Sequence, residues 1–424
     1  MKKLALSILC LSFLSSTVSA RIFTDISGKK FEANVVSISK DSVSLFSPGS
    51  TKIFTMPLAK LSAADRNYLA ARSKGSPAPP RKEKQTPAKK SSNSSNTTKQ
   101  NATKSLPQVS SNSLKEKYRL ADNYLTRLPD SVSISRNVTI RVVSEDKAKN
   151  RYVYHSPNYE FICDTKLSVT IVKQFSLLFE ATREYCRKMP ISSMRAHIPG
   201  RIKRNRILLF ANQSNYFRSG GVPGSAGVYS PRTNTVMIPL SSLGVKKVSN
   251  GYNFDYTKSN NTITHELVHQ LTDFEYYQAG ARGWFSEGIA EYCAATPYQS
   301  GQFSLTYNKR NFKEYVTASG IDGKSGWRLG TTINSHDLKF FMLQPYGSFV
   351  SDGPRNYGLG LLITYYFMNM ESDRKNITAF MKALKNGEKG EQALEKLLNG
   401  RSFDELEKDI SNAWKTAGVT INFQ

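Results

Sequence analysis

Cysteine is scarce in this chain. Of four cysteines in 424 residues, only Cys163, Cys186 and Cys293 lie beyond the first twenty positions. An exported domain stapled by disulfides carries more, and in even number. Cys163 and Cys186 flank a predicted helix whose ends stand about 30 Å apart at roughly 1.5 Å per residue. A disulfide tolerates only about 7 Å between α-carbons, so no bond is expected there and burial is expected for all three. No run of about 18 apolar residues follows position 20, so no transmembrane anchor is expected. Acidic residues are also in deficit: 33 Asp and Glu against 59 Lys and Arg leave a formal net charge of +26.

That excess of positive charge suits anionic surroundings such as an envelope polymer, an acidic protein or lipid headgroups. It equally suits a solvated basic surface that keeps the protein soluble. No nucleic-acid-binding motif is present, and no nucleic-acid partner is expected. Part of the charge is local, because eight Lys or Arg stand against a single Glu between Lys74 and Lys104.

The length suggests two or three domains. Residues 1–20 read as a signal peptide, with Lys2 and Lys3, an apolar stretch from Leu4 to Leu14, and small residues at Val18-Ser19-Ala20. Export to the periplasm or the extracellular space is the expectation. Residues 21–72 read as a small β domain, with strands at Ile22–Thr24, Phe31–Ser39, Ser42–Ser47 and Lys52–Pro57. Ser62 then caps a helix over Ala63–Ala71. Residues 73–116, rich in Ser, Asn, Lys, Pro and Thr without aromatics, read as a disordered basic linker. Residues 117–424 read as globular.

Within that region, Tyr159–Cys163 and Ile207–Phe210 look like strands. Asp164 precedes a helix with Leu167, Ile171, Phe175 and Leu178 on one face. Val228-Tyr229 and Thr235–Ile238 flank a turn at Ser230-Pro231-Arg232-Thr233-Asn234 and read as a hairpin. Helices follow at about 259–273, 284–296, 356–370, 374–385, 390–398 and 403–416. A strand-rich first half and a helical second half make the class α+β.

His265-Glu266-Leu267-Val268-His269 carries the chemistry. Histidines four apart on a helix share one face and can hold a single metal ion, with Glu266 beside them to reach a water. Ile263, Leu267, Val268 and Leu271 make the rest of the helix apolar, and burying three ionisable groups without a compensating ion is costly. Glu287 follows after 17 intervening residues. Two His and one Glu around zinc leave the fourth position open, as catalysis requires. Glu291 lies one turn beyond Glu287 on the same side. It is expected to hydrogen-bond the outer nitrogen of a ligand His. One zinc ion per chain is the cofactor expected.

The pair His-Glu-x-x-His and Trp284-x-x-Glu287-Gly288-x-Ala290-Glu291 resembles the gluzincin metallopeptidases, in particular the peptidase-MA-like bacterial proteins. The similarity extends upstream through Leu208-Leu209-Phe210-Ala211, Tyr216, and Ala226-Gly227-Val228-Tyr229-Ser230-Pro231-x-Thr233-Asn234, covering about residues 159–370. It implies a zincin-like domain: a mixed sheet with an antiparallel edge, an active-site helix and a helical C-terminal half. It implies hydrolysis of peptide bonds with Glu266 as general base. Val228, Tyr229, Thr235, Val236, Met237 and Ile238 become candidates for the cleft edge, and Tyr357 for the oxyanion donor. The Gly-x-Met-Glu-Asn string of aminopeptidases is absent, which favours an endopeptidase.

Near the N-terminus, Phe23-Thr24-Asp25-x-x-Gly28-Lys29-x-x-x-Ala33, with Pro57-Leu58, Leu61-Ser62, Asp65-Arg66 and Tyr68-Leu69, resembles the SLA-homology domain, an SH3-like barrel. That implies a module for a peptide or surface, or a simple spacer. Protein or peptide is the expected substrate, and residues 21–116 could meet a peptide ligand or an anionic envelope surface. Two other functions fit the same residues: a non-catalytic binding protein with a structural zinc site, and a hydrolase of cell-wall peptide crosslinks. Glu266 favours turnover, because a structural site needs no general base.

Overall fold

The computed structural model describes residues 21–38, 41–46, 53–73, 125, 128–192, 204–223, 225–257, 261–306, 308–320, 323 and 325–424. The expected signal peptide and, apart from Ser73, the expected linker lie outside the described residues. The chain divides into two compact units, one within residues 13–117 and one spanning 118–424.

In the smaller unit, β1 (Arg21–Thr24), β2 (Lys30–Ile38), β3 (Ser42–Phe46) and β4 (Ile53–Pro57) form an antiparallel meander in that order. Alternation places Phe23, Ala33, Val35, Val43 and Leu45 on one face. Leu61 and Leu69 cover it from the turn before α1 (Ala63–Ser73) and from the helix itself. The Ser62 hydroxyl accepts from the Asp65 N–H at 3.2 Å and donates to the Asp65 carboxylate at 2.8 Å, fixing the helix start.

A closed SH3-like barrel was expected here. Instead, the sheet is open among the described residues, with no pairing between β1 and β4. The outer edge of β1 is already taken. Asp25 bridges Leu61, the Ser62 N–H donates to the Thr24 carbonyl at 2.8 Å, and the Thr24 N–H donates to Asp65 at 2.8 Å.

The larger unit is built on a six-stranded mixed sheet in the order β10-β11-β9-β8-β7-β6. Its strands are β6 (Arg141–Asp146), β7 (Arg151–His155), β8 (Tyr159–Cys163), β9 (Asn205–Phe210), β10 (Val228–Ser230) and β11 (Thr235–Pro239). The short β5 (Ser131–Ser133) belongs to a separate ladder. β8, β9 and β11 run parallel, while β10 closes one edge antiparallel to β11. Period-two alternation splits the side chains between the two faces. Ile207, Leu209, Val236 and Ile238 enter the main core, whereas Phe210 and Met237 join Tyr216 in a second cluster. Tyr216 comes from α3 (Gln213–Arg218), which covers that second face.

The main face carries α2 (Val169–Lys188) and α4 (Asn261–Leu271). α2 begins at Val169 with Ser168 as its cap, and rings on β8 and α2 interlock: Phe161 meets Phe175 at 5.2 Å and Phe179 at 5.1 Å, edge to face. Asp164, ahead of this helix, instead accepts from the Ala211 N–H at 2.6 Å and holds the turn after β9. Between α3 and α4 lie β10, β11 and the hairpin β12 (Val245–Val248) and β13 (Gly251–Phe254).

After α4 the chain turns helical. α5 (Trp284–Ala295) is buried along its whole length. β14 (Tyr298–Gln299) and β15 (Gln302–Ser304) extend the β5 ladder, followed by α6 (Lys309–Thr317) and β16 (Thr332–Ser335). α7 (Leu338–Leu343), α8 (Tyr346–Ser351), α9 (Gly353–Tyr365), α10 (Lys375–Lys385), α11 (Glu391–Leu398) and α12 (Phe403–Lys415) complete the bundle. β17 (Thr420–Phe423) returns to pair in parallel with β16. Cys163, Cys186 and Cys293 are buried and unbonded. No helix among the described residues is long and apolar enough to cross a membrane.

Candidate metal centre

Two crossing helices build the site. α4 is buried on nearly all sides, and Glu266 is the residue in its middle that stays partly accessible. α5 begins at Gly283, whose φ of 98° is left-handed and whose N–H donates to the Ser286 hydroxyl at 3.0 Å. A Cβ at Gly283 would lie 3.0 Å from the Phe349 ring, so any other residue would have to displace that ring as well as strain the positive φ. This start sets the phase of α5 and aims Glu287 and Glu291, one turn apart, at α4.

Three atoms converge. His265 Nε2 and His269 Nε2 are 2.9 Å apart, and Glu287 Oε2 lies 3.3 Å from the first and 3.1 Å from the second. Each outer atom of the three residues is engaged. His265 Nδ1 stands 2.9 Å from Glu291 Oε1, an ion-pair distance without hydrogen-bond geometry. His269 Nδ1 lies 3.1 Å from the Tyr277 hydroxyl, which itself donates to the His269 carbonyl at 3.2 Å. The Tyr346 hydroxyl donates to Glu287 Oε1 at 2.9 Å, and Trp327 Nε1 donates to Glu291 Oε2 at 3.1 Å.

These partners decide the tautomers. A carboxylate faces His265 Nδ1, so the proton belongs there. With its own proton on the His269 carbonyl, the Tyr277 hydroxyl can accept from His269 Nδ1. Burial raises the Tyr277 pKa well above its usual value, which keeps that hydroxyl neutral. Both Nε2 lone pairs then point inward, toward each other and toward a carboxylate oxygen.

No protein-family model matches this chain, and no curated protein matches it. The site is therefore judged on its own atoms.

The buried His265, His269 and Glu287 could hold a metal ion. Donors about 2.0–2.1 Å from a tetrahedral ion stand roughly 3.3 Å from one another, close to the spacings seen here. The charge count agrees. Glu287 and Glu291 are both buried, and a divalent cation would offset the cost of keeping two carboxylates there. Without a cation, protons must relieve the convergence. Burial works against a charged His265, but Glu291 and Glu287 outweigh it and raise its pKa well above the usual value. Burial likewise opposes an ionised Glu287, yet the His269 and His265 imidazoles hold its carboxyl well below the usual range. Glu266 is shifted the other way: its burial dominates and raises its pKa despite both imidazoles and the Tyr229 N–H.

β10 lies beside α4. The Tyr229 N–H donates to Glu266 Oε2 at 2.8 Å, and the Tyr229 ring stacks on His269 with centroids 6.5 Å apart. Of the six residues expected at the cleft edge, only Val228 and Tyr229 occupy the edge strand. Thr235, Val236, Met237 and Ile238 lie on β11, which is paired on both sides and buried throughout. Val228 also packs with the second-face cluster, away from the metal ligands. Tyr357 is buried on α9 with its ring 5.9 Å from that of His265. His336 is exposed and packs on Phe340, and no contact links it to the site.

Tyr277, Trp327, Tyr346 and Gln270 were not foreseen. Gln270 directly follows His269, and its amide nitrogen donates to the carbonyls of Arg206 and Asn234 at 2.9 and 3.0 Å, tying α4 to the strands. Its adjacency to the motif was a usable signal. The other three come from turns and a short helix, where no spacing marks them.

Proposed function

We propose that this chain is an exported zinc peptidase of the gluzincin type, acting as an endopeptidase. The observation that carries the reading is the convergence of three buried donor atoms directly beside a partly accessible Glu266. A structural metal site has no use for that carboxylate, and a water-activating site requires it.

His265, His269 and Glu287 would hold the ion. Zinc supplies, when bound, Lewis acidity toward a carbonyl oxygen and a lowered pKa for water. Glu266 takes the proton of the attacking water and delivers it to the leaving amine. The Tyr229 N–H, 2.8 Å from Glu266, orients the carboxylate at the edge of the sheet. β10 is the edge strand of the sheet among the described residues, and a substrate main chain would lie along it, with the Tyr229 N–H already taken by Glu266. Tyr357, against His265, is the candidate donor to the oxyanion.

The test uses the full chain. Bound metal is measured by elemental analysis, and cleavage of a mixed peptide library is compared between wild type and Glu266→Gln. Stoichiometric zinc in both, with cleavage by the wild type alone, is the expected result. Zinc bound with no cleavage by either form would leave a structural site and remove the enzyme. Unchanged metal content in His265→Ala would remove the site itself.

A further inference from the structure

We infer that Arg282 recognises a carboxylate on the substrate near the bond that is cut. The inference rests on the peptidase reading and names a substrate class for it. Arg282 is half-buried, two residues before α5. Among the described residues its guanidinium has no hydrogen bond and no ion pair. It lies over the Tyr346 ring, 4.7 Å from the centroid. A partly desolvated guanidinium ordinarily finds an anion within the protein.

The carboxylates of the site are committed elsewhere. Glu287 faces two imidazoles and the Tyr346 hydroxyl, Glu291 faces His265 and Trp327, and Glu266 accepts from the Tyr229 N–H. Arg282 is nevertheless one aromatic ring away from the metal ligands, because the Tyr346 hydroxyl touches Glu287 at 2.9 Å.

The base of the arm is fixed. The Arg282 N–H donates to the Gln278 carbonyl at 2.9 Å, and the following Gly283 is boxed in by Phe349. A cation–π contact uses none of the guanidinium N–H donors, and the planar fork of those donors matches a carboxylate. That carboxylate could belong to an Asp or Glu side chain or to the substrate's C-terminus.

Peptide pairs separate these sources. Each pair differs only by Glu for Gln at one position around the cut, or by a free C-terminus against an amide. With the zinc-loaded full chain, the carboxylate member is expected to have a kcat/KM roughly tenfold higher in one of the two arms. A gain in the side-chain arm means an internal acidic residue, and a gain in the terminal arm means release of C-terminal residues. Arg282→Gln should bring the ratio to about one, and Arg282→Glu should reverse it. Equal rates within every wild-type pair, or an unchanged ratio in Arg282→Gln, would overturn the inference. If the chain cleaves nothing, the same pairs are titrated calorimetrically onto zinc-loaded Glu266→Gln. Tighter carboxylate binding, lost when Arg282→Gln is added, would uphold Arg282 while the peptidase reading falls; equal binding would overturn both.

Discussion

Glu291 touches no ligand-forming atom of its neighbours' inner set, yet it decides how His265 presents itself. Its Oε1 stands 2.9 Å from His265 Nδ1, and Trp327 pins its other oxygen at 3.1 Å. Glu291→Gln keeps the shape and removes the charge that keeps the proton on the outer nitrogen. Partners of this kind are worth about 10–100-fold in metal affinity. Competition against a chelating indicator should show a loss in that range for Glu291→Gln and a smaller one for Tyr346→Phe, which gives up only a neutral hydrogen bond. Affinity unchanged in Glu291→Gln would mean that the carboxylate does not set the tautomer. The ligand residues and Glu291 were legible because helical spacing alone puts them on facing sides of α4 and α5. Tyr277, Trp327 and Tyr346 were not, because their approach is made by tertiary packing of turns. The expected edge residues on β11 failed for a related reason: hairpin periodicity shows that two strands pair, and not which of them faces outward.

At the scale of elements, the position of Glu287 depends on how closely α5 can approach α9. Gly288 follows the ligand directly, and a Cβ there would come within 2.5 Å of the Gly360 carbonyl oxygen and also strike Thr364. A Cβ on Gly360 would in turn sit 2.9 Å from the Trp284 carbonyl oxygen. Two glycines facing each other let the backbones touch, and backbone cannot yield as a side-chain tip can. Gly288→Ala should therefore destabilise the larger unit by about 1–3 kcal/mol or more. It should also weaken metal binding, because the helix that carries Glu287 must shift. Chemical denaturation with and without a chelator measures both effects, and a Gly288→Ala chain as stable as wild type would show that the crossing is slack. The extent of α5 was readable from its apolar run. α9 was placed three residues late, since Pro354 lies in its first turn, where the missing N–H costs nothing. The six-residue α7 and α8 are too short for any periodicity to declare them. Edge strand β6 hid for another reason: none of its residues is buried, so no apolar alternation marks it.

Among the described residues each unit has its own main hydrophobic core. Phe23, Val43, Leu61 and their neighbours form one, while the core of the larger unit runs from β8 through α4 and α5 to Trp414 on α12. The candidate metal ligands all come from α4 and α5, near the centre of that larger core. Any ion bound there stabilises the folded form of that unit by mass action, and nothing in the ligand set couples it to the smaller one. At a free zinc concentration about a hundredfold above the dissociation constant, this linkage amounts to about 2.7 kcal/mol. In a unit of this size that corresponds to a rise in Tm of several degrees. Calorimetry of the full chain should accordingly resolve two transitions. Added zinc should raise the larger one and a chelator should lower it, with the smaller transition fixed in both. His265→Ala should abolish the zinc response while leaving the smaller transition where it was. Two transitions moving together with zinc would show instead that the ion bridges the units, and that the ligand set is larger than His265, His269 and Glu287.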